Sequence, residues 1–473
     1  MRRVWLSVLM VAGMCVGALG DGSPRPILYS TDLFHPHADP DDHYDLACLF
    51  AMPEFEIKGI ILDLGAEQAK GCGRPAVEQM MRITGRKAPV AIGLSEKLSS
   101  RADKALDQPA AFQGAVALIL SVLRDSPEKV VLFTTGSCRD VAAALNREPE
   151  LLKAKVQAVY FNIGRGPNEP QEECNVDYDP HAYLRLFESG LPIFWCPCFG
   201  KDRFETLYEV DQTAVVGRCA PVVQNYFVYC LTKSQADPIA FLTSGPHPLP
   251  TGPRAMWCTA PMVHAAGRKI YERGPNDFVA LPPSVARQRG LSAKEVEAFG
   301  FVPMRASVEG GEPPAAPSLP KVSAGQLAAV YGGCEKDRVG TAKAEPDGQR
   351  DCCVRVVGVP RDKKIKNVVI TGPRAGRWEY LPTDRWWRIA FDHGETLDCY
   401  FQFWAAGEHR VEVAYHDGSS QSASFLVPPR DTTRLRVALD PPQPNGFVFR
   451  YADARYKPIM ASCLKNLLAE LGR

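Results

Sequence analysis

The sequence predicts an α/β domain built on an open, mainly parallel sheet with helices on both faces, followed by a small all-β sandwich. Three observations carry this. Residues 26 to about 300 alternate short apolar runs with stretches of helical spacing. A Pro/Gly-rich segment, EGGEPPAAPSLP at 309–320, interrupts the alternation. Beyond it, short strands follow one another with no helical period between them.

The first strand is the apolar run Ile27-Leu28-Tyr29, followed by Tyr44, Leu46, Leu49 and Phe50 at helical spacing within 42–52. The run IKGIIL at 57–62 is the second strand, and Val77, Met80, Met81 and Ile83 mark the helix after it. A strand at 88–92 precedes a helix over 112–123, and KVVLF at 129–133 precedes a helix around 141–145. Strands at 156–163 and 192–195 flank a helix at 182–187. In such sheets ligands bind at the carboxyl ends of the strands, so the chemistry is expected in the loops that follow them.

After the linker the strands are Cys353 to Val357, Asn367 to Ile370, Trp386 to Ile389, Cys399 to Phe403 and Val411 to Tyr415. Together they make a sandwich of roughly a hundred residues. The boundaries read 21–308 for the α/β domain, 309–320 for the linker and 321–435 for the sandwich. Residues 436–473 read as a C-terminal tail with a short amphipathic helix over Pro458 to Leu471. The tryptophans Trp378, Trp386, Trp387 and Trp404 are either sandwich core or a sugar-stacking face.

With 473 residues the chain exceeds one ordinary core. A formal net charge of +1 excludes nucleic-acid binding through bulk electrostatics. Residues 1–20 read as an export signal. Arg2 and Arg3 precede an apolar run over Val4 to Val16, and Ala18-Leu19-Gly20 offers a cleavage site. The run is shorter than the ~20 residues a membrane span needs. A secreted or periplasmic location is therefore expected, with no span in the mature chain. The 15 cysteines sit mostly inside apolar strands and helices and read as small buried hydrophobes.

The chemistry begins where the first strand ends. Asp32, Asp39, Asp41 and Asp42 crowd into the turn TDLFHPHADPDD just before a helix. Four carboxylates so close repel one another unless a cation neutralises them, and oxygen ligands at a tight turn suit a hard cation such as Ca²⁺. The plainer reading is a solvated acidic turn that caps the helix.

This opening, ILYSTD…DPDDHYDLACLF, resembles that of the inosine–uridine-preferring nucleoside hydrolases. The resemblance continues in order. VVLFTTGSCRDVAAAL at 130–145 is similar to the family's strand, glycine turn and helix, and VYFNIG at 159–164 to its next strand. Glu173-Cys174-Asn175 with Asp179-Pro180-His181-Ala182 is similar to its E-x-N…D-P-x-A segment, and Ala236-Asp237-Pro238 to its late Asp-Pro segment. The match spans about 26–240 and leaves the linker and sandwich outside.

The resemblance implies a nucleoside hydrolase-like fold and a calcium-dependent hydrolase of N-glycosidic bonds in ribonucleosides or related ribosides. Asp32, Asp39, Asp42 and Asp237, with the backbone carbonyl of Arg139, would hold Ca²⁺. Asp32 would also act as base for the attacking water, with Asp39 as its competitor. Asp41, Asn162, Glu173 and Asn175 would bind the sugar. The expected partner is a small nucleoside or riboside; a homo-oligomer and a glycan contact through the sandwich are further candidates. The chain departs from the family in two places. Ala236 stands where the family commonly has His, and Asp63-Leu64-Gly65-Ala66-Glu67 where it has an Asn. His35, His37, His247 and Trp257 are candidate substitutes on the leaving-group side. From another class, the alternative is a catalytically silent, calcium-dependent binder of ribosides or glycans. An Asp-nucleophile phosphatase fits less well, because it wants D-x-D where this strand end reads Asp32-Leu33-Phe34.

Overall fold

The computed structural model describes residues 23–37, 39–169, 171, 173–309, 326–331, 352–372, 377–380, 391–392, 396–401, 407–427, 436–440 and 446–472. The expected export signal, the linker, and Trp386, Trp387 and Trp404 lie outside these residues. The chain divides into one unit of 1–309 with 435–473 and a second of 310–434.

The first unit is organised on an eight-stranded sheet. Its elements are β1 (Arg25–Thr31), α1 (Asp41–Phe50), β2 (Phe55–Leu62), α2 (Arg74–Thr84), β3 (Val90–Ile92), α3 (Gly114–Asp125), β4 (Val130–Thr134), α4 (Arg139–Arg147), β5 (Val156–Phe161), α5 (Cys174–Tyr178), α6 (Pro180–Phe187), β6 (Ile193–Trp195), α7 (Pro221–Leu231), α8 (Pro238–Phe241), β7 (Phe299–Pro303), β8 (Gly446–Tyr451) and α9 (Tyr456–Leu468). The strand order is β7-β8-β6-β5-β4-β1-β2-β3, parallel throughout except for the β7–β8 pair.

Alternate side chains of β1 enter the two layers above and below the sheet, as the period-2 pleat requires. Ile27 and Tyr29 join one core with Tyr44, Leu46, Phe227 and Ile459. Leu28 joins the other with Ile119, Leu132, Val141 and Leu184. Each strand–helix pair read from the sequence between 26 and 195 is present within a few residues of the expected ends.

The C-terminal segment differs from expectation. It is not a tail. β8 lies between β7 and β6 in the main sheet, and α9 packs its Tyr456, Ile459, Met460, Leu464 and Leu467 into the first core. The reason is pairing. Gly446 to Val448 run parallel to Ile193 to Trp195, and Phe447 to Tyr451 run antiparallel to Phe299 to Pro303. The chain leaves and re-enters the first unit through a second antiparallel pair, Arg305–Glu309 with Arg436–Asp440.

The second unit holds two four-stranded sheets. Strands 328–331, 352–357, 396–401 and 391–392 form one; strands 377–380, 365–371, 407–415 and 420–427 form the other, both antiparallel. Val354, Val356, Leu397 and Cys399 from the first meet Val368, Ile370, Val411 and Val413 from the second in one core. Of the tryptophans considered for sugar stacking, only the backbone of Trp378 is described, in strand 377–380.

Candidate carboxylate and metal site

Strand register assembles the site. β1 runs parallel to β2 with Thr31 beside Leu62, and to β4 with Ser30 beside Thr134. The residues that follow these strand ends, Asp32, Asp63 and Thr135-Gly136, therefore arrive together at the carboxyl edge of the sheet. Gly136 is required there: a Cβ on it would lie 2.6 Å from Asp63 Oδ2 and 3.3 Å from Asp32 Cβ.

The turn then brings the chain to α1. The Thr31 hydroxyl donates to Asp42 Oδ1 at 2.7 Å, so the last residue of β1 holds the second residue of α1. Asp41 and Asp42 form the first turn of α1. Asp39 is exposed, with Arg254 Nη1 at 3.8 Å from Oδ1.

The electrostatics of this edge are strained in one direction. Burial, and then the charge of Asp63, push the Asp32 carboxyl well above its ordinary range. Burial with Asp39 does the same to Asp41, and burial with Asp32 to Asp42. Raised carboxylates mean that the positive charge around them does not balance the negative. The donors are all oxygen, as a hard cation prefers. Asp32, Asp41 and Asp42 thus fit a hard cation on chemistry.

The residues expected on the sugar side stand across β4. Glu173 Oε2 accepts from the amides of Gly164 (2.8 Å) and Val176 (3.3 Å), and Oε1 from that of Asn175 (3.0 Å), so this carboxylate caps α5. Its charge acts on Asp32. Asn175 Nδ2 donates to the Thr135 carbonyl at 2.8 Å, which ties α5 to the same edge and leaves its side-chain oxygen outside that bond. Asn162, buried after β5, donates to the Cys196 carbonyl (2.8 Å) and Thr206 Oγ1 (3.1 Å), while its own oxygen has no partner.

Two further expected metal positions, Arg139 and Asp237, have local partners of their own. Arg139 was expected to lend its backbone carbonyl only, and its side chain is buried. Its guanidinium donates to the carbonyls of Leu94, Ser95 and Tyr178 and lies 3.6 Å from Asp179. Asp237 is exposed, and its Oδ1 accepts from the amides of Ile239 (3.0 Å) and Ala240 (2.7 Å) as the cap of α8. These bonds engage one of its two carboxylate oxygens.

Sequence reasoning missed two carboxylates. Asp63, fully buried, accepts from the Leu64 amide (2.6 Å) and the Ser137 amide (2.6 Å). The signal was available, because parallel strands with equal ends place the next residues side by side. Asp45 lies one turn along α1 from Asp41 and Asp42. It is fully buried, with the Cys258 thiol alongside and neither oxygen in a hydrogen bond of ordinary geometry. Its three-residue spacing from Asp42 was the signal.

The histidines considered for the leaving group are already engaged. His247 Nε2 lies 2.7 Å from Ser244 Oγ and its ring stacks on Phe241. His35 and His37 reach backbone carbonyls at and just beyond the end of α7. Trp257 stands edge-on to Phe199, with a buried indole N–H that has no partner.

These shifts set a sign for pH. Burial raises Asp45 to about 7, and burial with Asp63 raises Asp140 to about 8, against 3.8 when unfolded. Between those values the folded chain binds more protons than the unfolded one, so stability falls as pH rises. The metal-free protein should therefore lose thermal midpoint steadily from about pH 4 to about pH 8, and divalent cation added at the upper end should restore part of it. Thermal unfolding in chelator across that range checks this; a midpoint that rises with pH would refute it.

A family model described as inosine-uridine preferring nucleoside hydrolase matches residues 31–239. Those residues are similar to that family. Nucleoside hydrolases are metal-dependent, which accords with the carboxylate edge. Among curated relatives, the pyrimidine-specific ribonucleoside hydrolase RihA of Enterobacter sp. (strain 638) is 30% identical over 186 residues, covering 36% of this chain and 58% of that protein. RihA of Citrobacter koseri is 28% identical over 186 residues with the same coverage. The chain thus spans less than two thirds of the length of these relatives. Of solved structures, an inosine-uridine preferring nucleoside hydrolase from Bacillus anthracis is 16% identical, with TM-score 0.33, covering 50% of this chain and 91% of that one. A purine-preferring ribonucleoside hydrolase from Gardnerella vaginalis is also 16% identical, with TM-score 0.36 and coverage of 60% and 84%.

Proposed function

We propose that the first unit hydrolyses the N-glycosidic bond of a ribonucleoside or related riboside, with Ca²⁺ as its metal and Asp32 as the base. The observation that carries this reading is the convergence of Asp32, Asp41 and Asp42 at one strand end, with Glu173 and Asn175 across the neighbouring strand. Asp32 and Asp42 would hold the ion. When bound, Ca²⁺ supplies positive charge that keeps these carboxylates ionised and orders a water beside them.

The chain's own groups do the rest. Asp32 directly follows β1 and stands nearer the buried edge than Asp39, which is exposed and faces Arg254. A carboxylate held ionised beside an ordered water is placed to accept its proton. Asp41 would accept hydrogen bonds from vicinal ribose hydroxyls, and the free oxygen of Asn175 from the far side of the ring. A site built to pair those hydroxyls rejects sugars that lack them, because its buried polar groups would be left unpaired.

A second reading has its own support. Asp237 caps α8 and Ala236 replaces the family's histidine, so a calcium-dependent binder that does not turn over remains an alternative. Both readings place the mature protein outside the cytoplasm, with Asp21 as its first residue. A nucleoside panel assayed for reducing-sugar release, with calcium or with chelator, separates them. Hydrolysis should release sugar only with calcium. Calcium-dependent ribose binding with no free base would select the binder, and release that is insensitive to chelator would refute the metal role.

A further inference from the structure

The turn between β1 and α1 carries His35 and His37. These residues do not face the carboxylates. His35 stacks on Tyr229 of α7 at 4.5 Å between ring centroids. His37 meets His43 of α1 edge-on at 6.0 Å, and His43 in turn meets Tyr226 of α7. Next to these rings α7 supplies Cys230. One ligand atom from each of His35, His43 and Cys230 falls within 4.8 Å of the others, and all three residues are buried.

We propose that His35, His43 and Cys230 form a second metal site, for a transition ion of the zinc class, separate from the Asp32–Asp42 edge. Partner accounting is the first support. His43 is fully buried, and neither ring nitrogen has a hydrogen-bond partner. His35 Nδ1 is likewise buried and unpartnered. A buried polar atom left without a partner costs about 1–3 kcal/mol, and one ion between these groups would satisfy several at once.

The tautomers are the second support. His35 Nε2 lies 2.7 Å from the Ser234 carbonyl, which can only accept, so Nε2 carries the proton and Nδ1 keeps its lone pair. A metal-bound histidine commonly holds its other N–H against a backbone carbonyl in this way. His37 repeats the arrangement beside the site, with Nε2 at 3.4 Å from the Leu231 carbonyl and Nδ1 unpartnered.

The donor type is the third. Two imidazoles and a thiol suit zinc and its neighbours and do not suit Ca²⁺, which takes oxygen. The Cys230 thiol, whose Sγ lies 3.9 Å from Gln79 Oε1, would release its proton to solvent as the S–metal bond forms. A tetrahedral zinc with bonds of about 2.0–2.3 Å asks its ligands to close by roughly 1 Å from this spacing, within side-chain reach. Such an ion would staple the long turn to α1 and α7, and so fix the position from which Asp39 and Asp41 enter the carboxylate edge.

The test is a Co²⁺ titration of the full chain in excess Ca²⁺, followed by absorbance. One equivalent should bind with a thiolate-to-cobalt charge-transfer band and tetrahedral d–d bands, and zinc should displace it. Cys230→Ser should abolish the charge-transfer band, and His43→Gln should weaken binding at least tenfold. Elemental analysis of protein purified without chelator should find close to one zinc per chain. A full-length protein with neither zinc nor a charge-transfer band overturns the site whatever the variants do. So does an undiminished band in Cys230→Ser. Nucleoside hydrolysis is not the readout, so failure here leaves the calcium-site reading standing, and the reverse also holds.

Discussion

A chain cut after Glu309 is expected to fail to fold, although every residue assigned to the carboxylate edge precedes that point. The cut removes β8 from between β6 and β7, and α9 from the first core. Phe447, Val448, Phe449, Tyr456, Ile459, Met460 and Leu464 are all buried there. Burying such side chains contributes roughly 1.5–3 kcal/mol each, while a whole domain is stable by only about 5–15 kcal/mol. The loss also leaves β6 and β7 as open apolar edges, which promote aggregation. Excising the second unit instead should be tolerated. Glu309 and Arg436 are direct cross-strand partners, so replacing 310–435 by Asn-Gly closes a two-residue hairpin of the favoured kind. Circular dichroism and gel filtration of the two proteins compare them. A soluble, cooperative truncation at Glu309, or an unfolded excision, would refute this account of the first unit.

That contrast shows where sequence reading stops. β1, β2, β4 and β5 were legible because each is a local apolar run followed by a helix with its own period. β8 is just as apolar, GFVFRY, but nothing local tells which sheet it joins. Its partners lie at 193–195 and 299–303, across an entire intervening unit. The carboxylate turn was legible from charge density alone, since four aspartates before a helix are unusual. Asp63 was not, because its role follows from the parallel register of β1 and β2, which single-strand patterns do not fix. Asp45 was read only as part of a helix. Asp237 matched a motif by position, and the structure adds that one of its oxygens caps α8. His35 and His37 stood out in the sequence, but their partners at and just beyond the end of α7 are 199 and 194 residues further along the chain.

Asp32→Asn is expected to reduce kcat for ribonucleoside hydrolysis by ~10²–10⁴-fold, the usual contribution of a positioned general base, with KM changed only a few-fold. The substitution keeps the size of the side chain and one oxygen for the metal, so the loss should fall on the chemical step and not on sugar binding. Asp42→Ala should act differently. It removes a carboxylate held by Thr31 at 2.7 Å, so elemental analysis should show the calcium lost along with activity. Two further variants sharpen the assignment. Asp39→Asn removes an exposed group whose ion pair with Arg254 is of the weakly contributing surface kind, and activity should stay close to that of the parent. Asp237→Ala should lose about 0.5–2 kcal/mol of stability through the α8 cap and keep its calcium. Ala236→His should give no gain, because Ala236 is exposed beside a capping residue. Full activity in Asp32→Asn together with its loss in Asp39→Asn would transfer the base role to Asp39. Calcium lost in Asp237→Ala but retained in Asp42→Ala would mean that the ion is held by a different set of carboxylates, with the cap of α8 released to bind it.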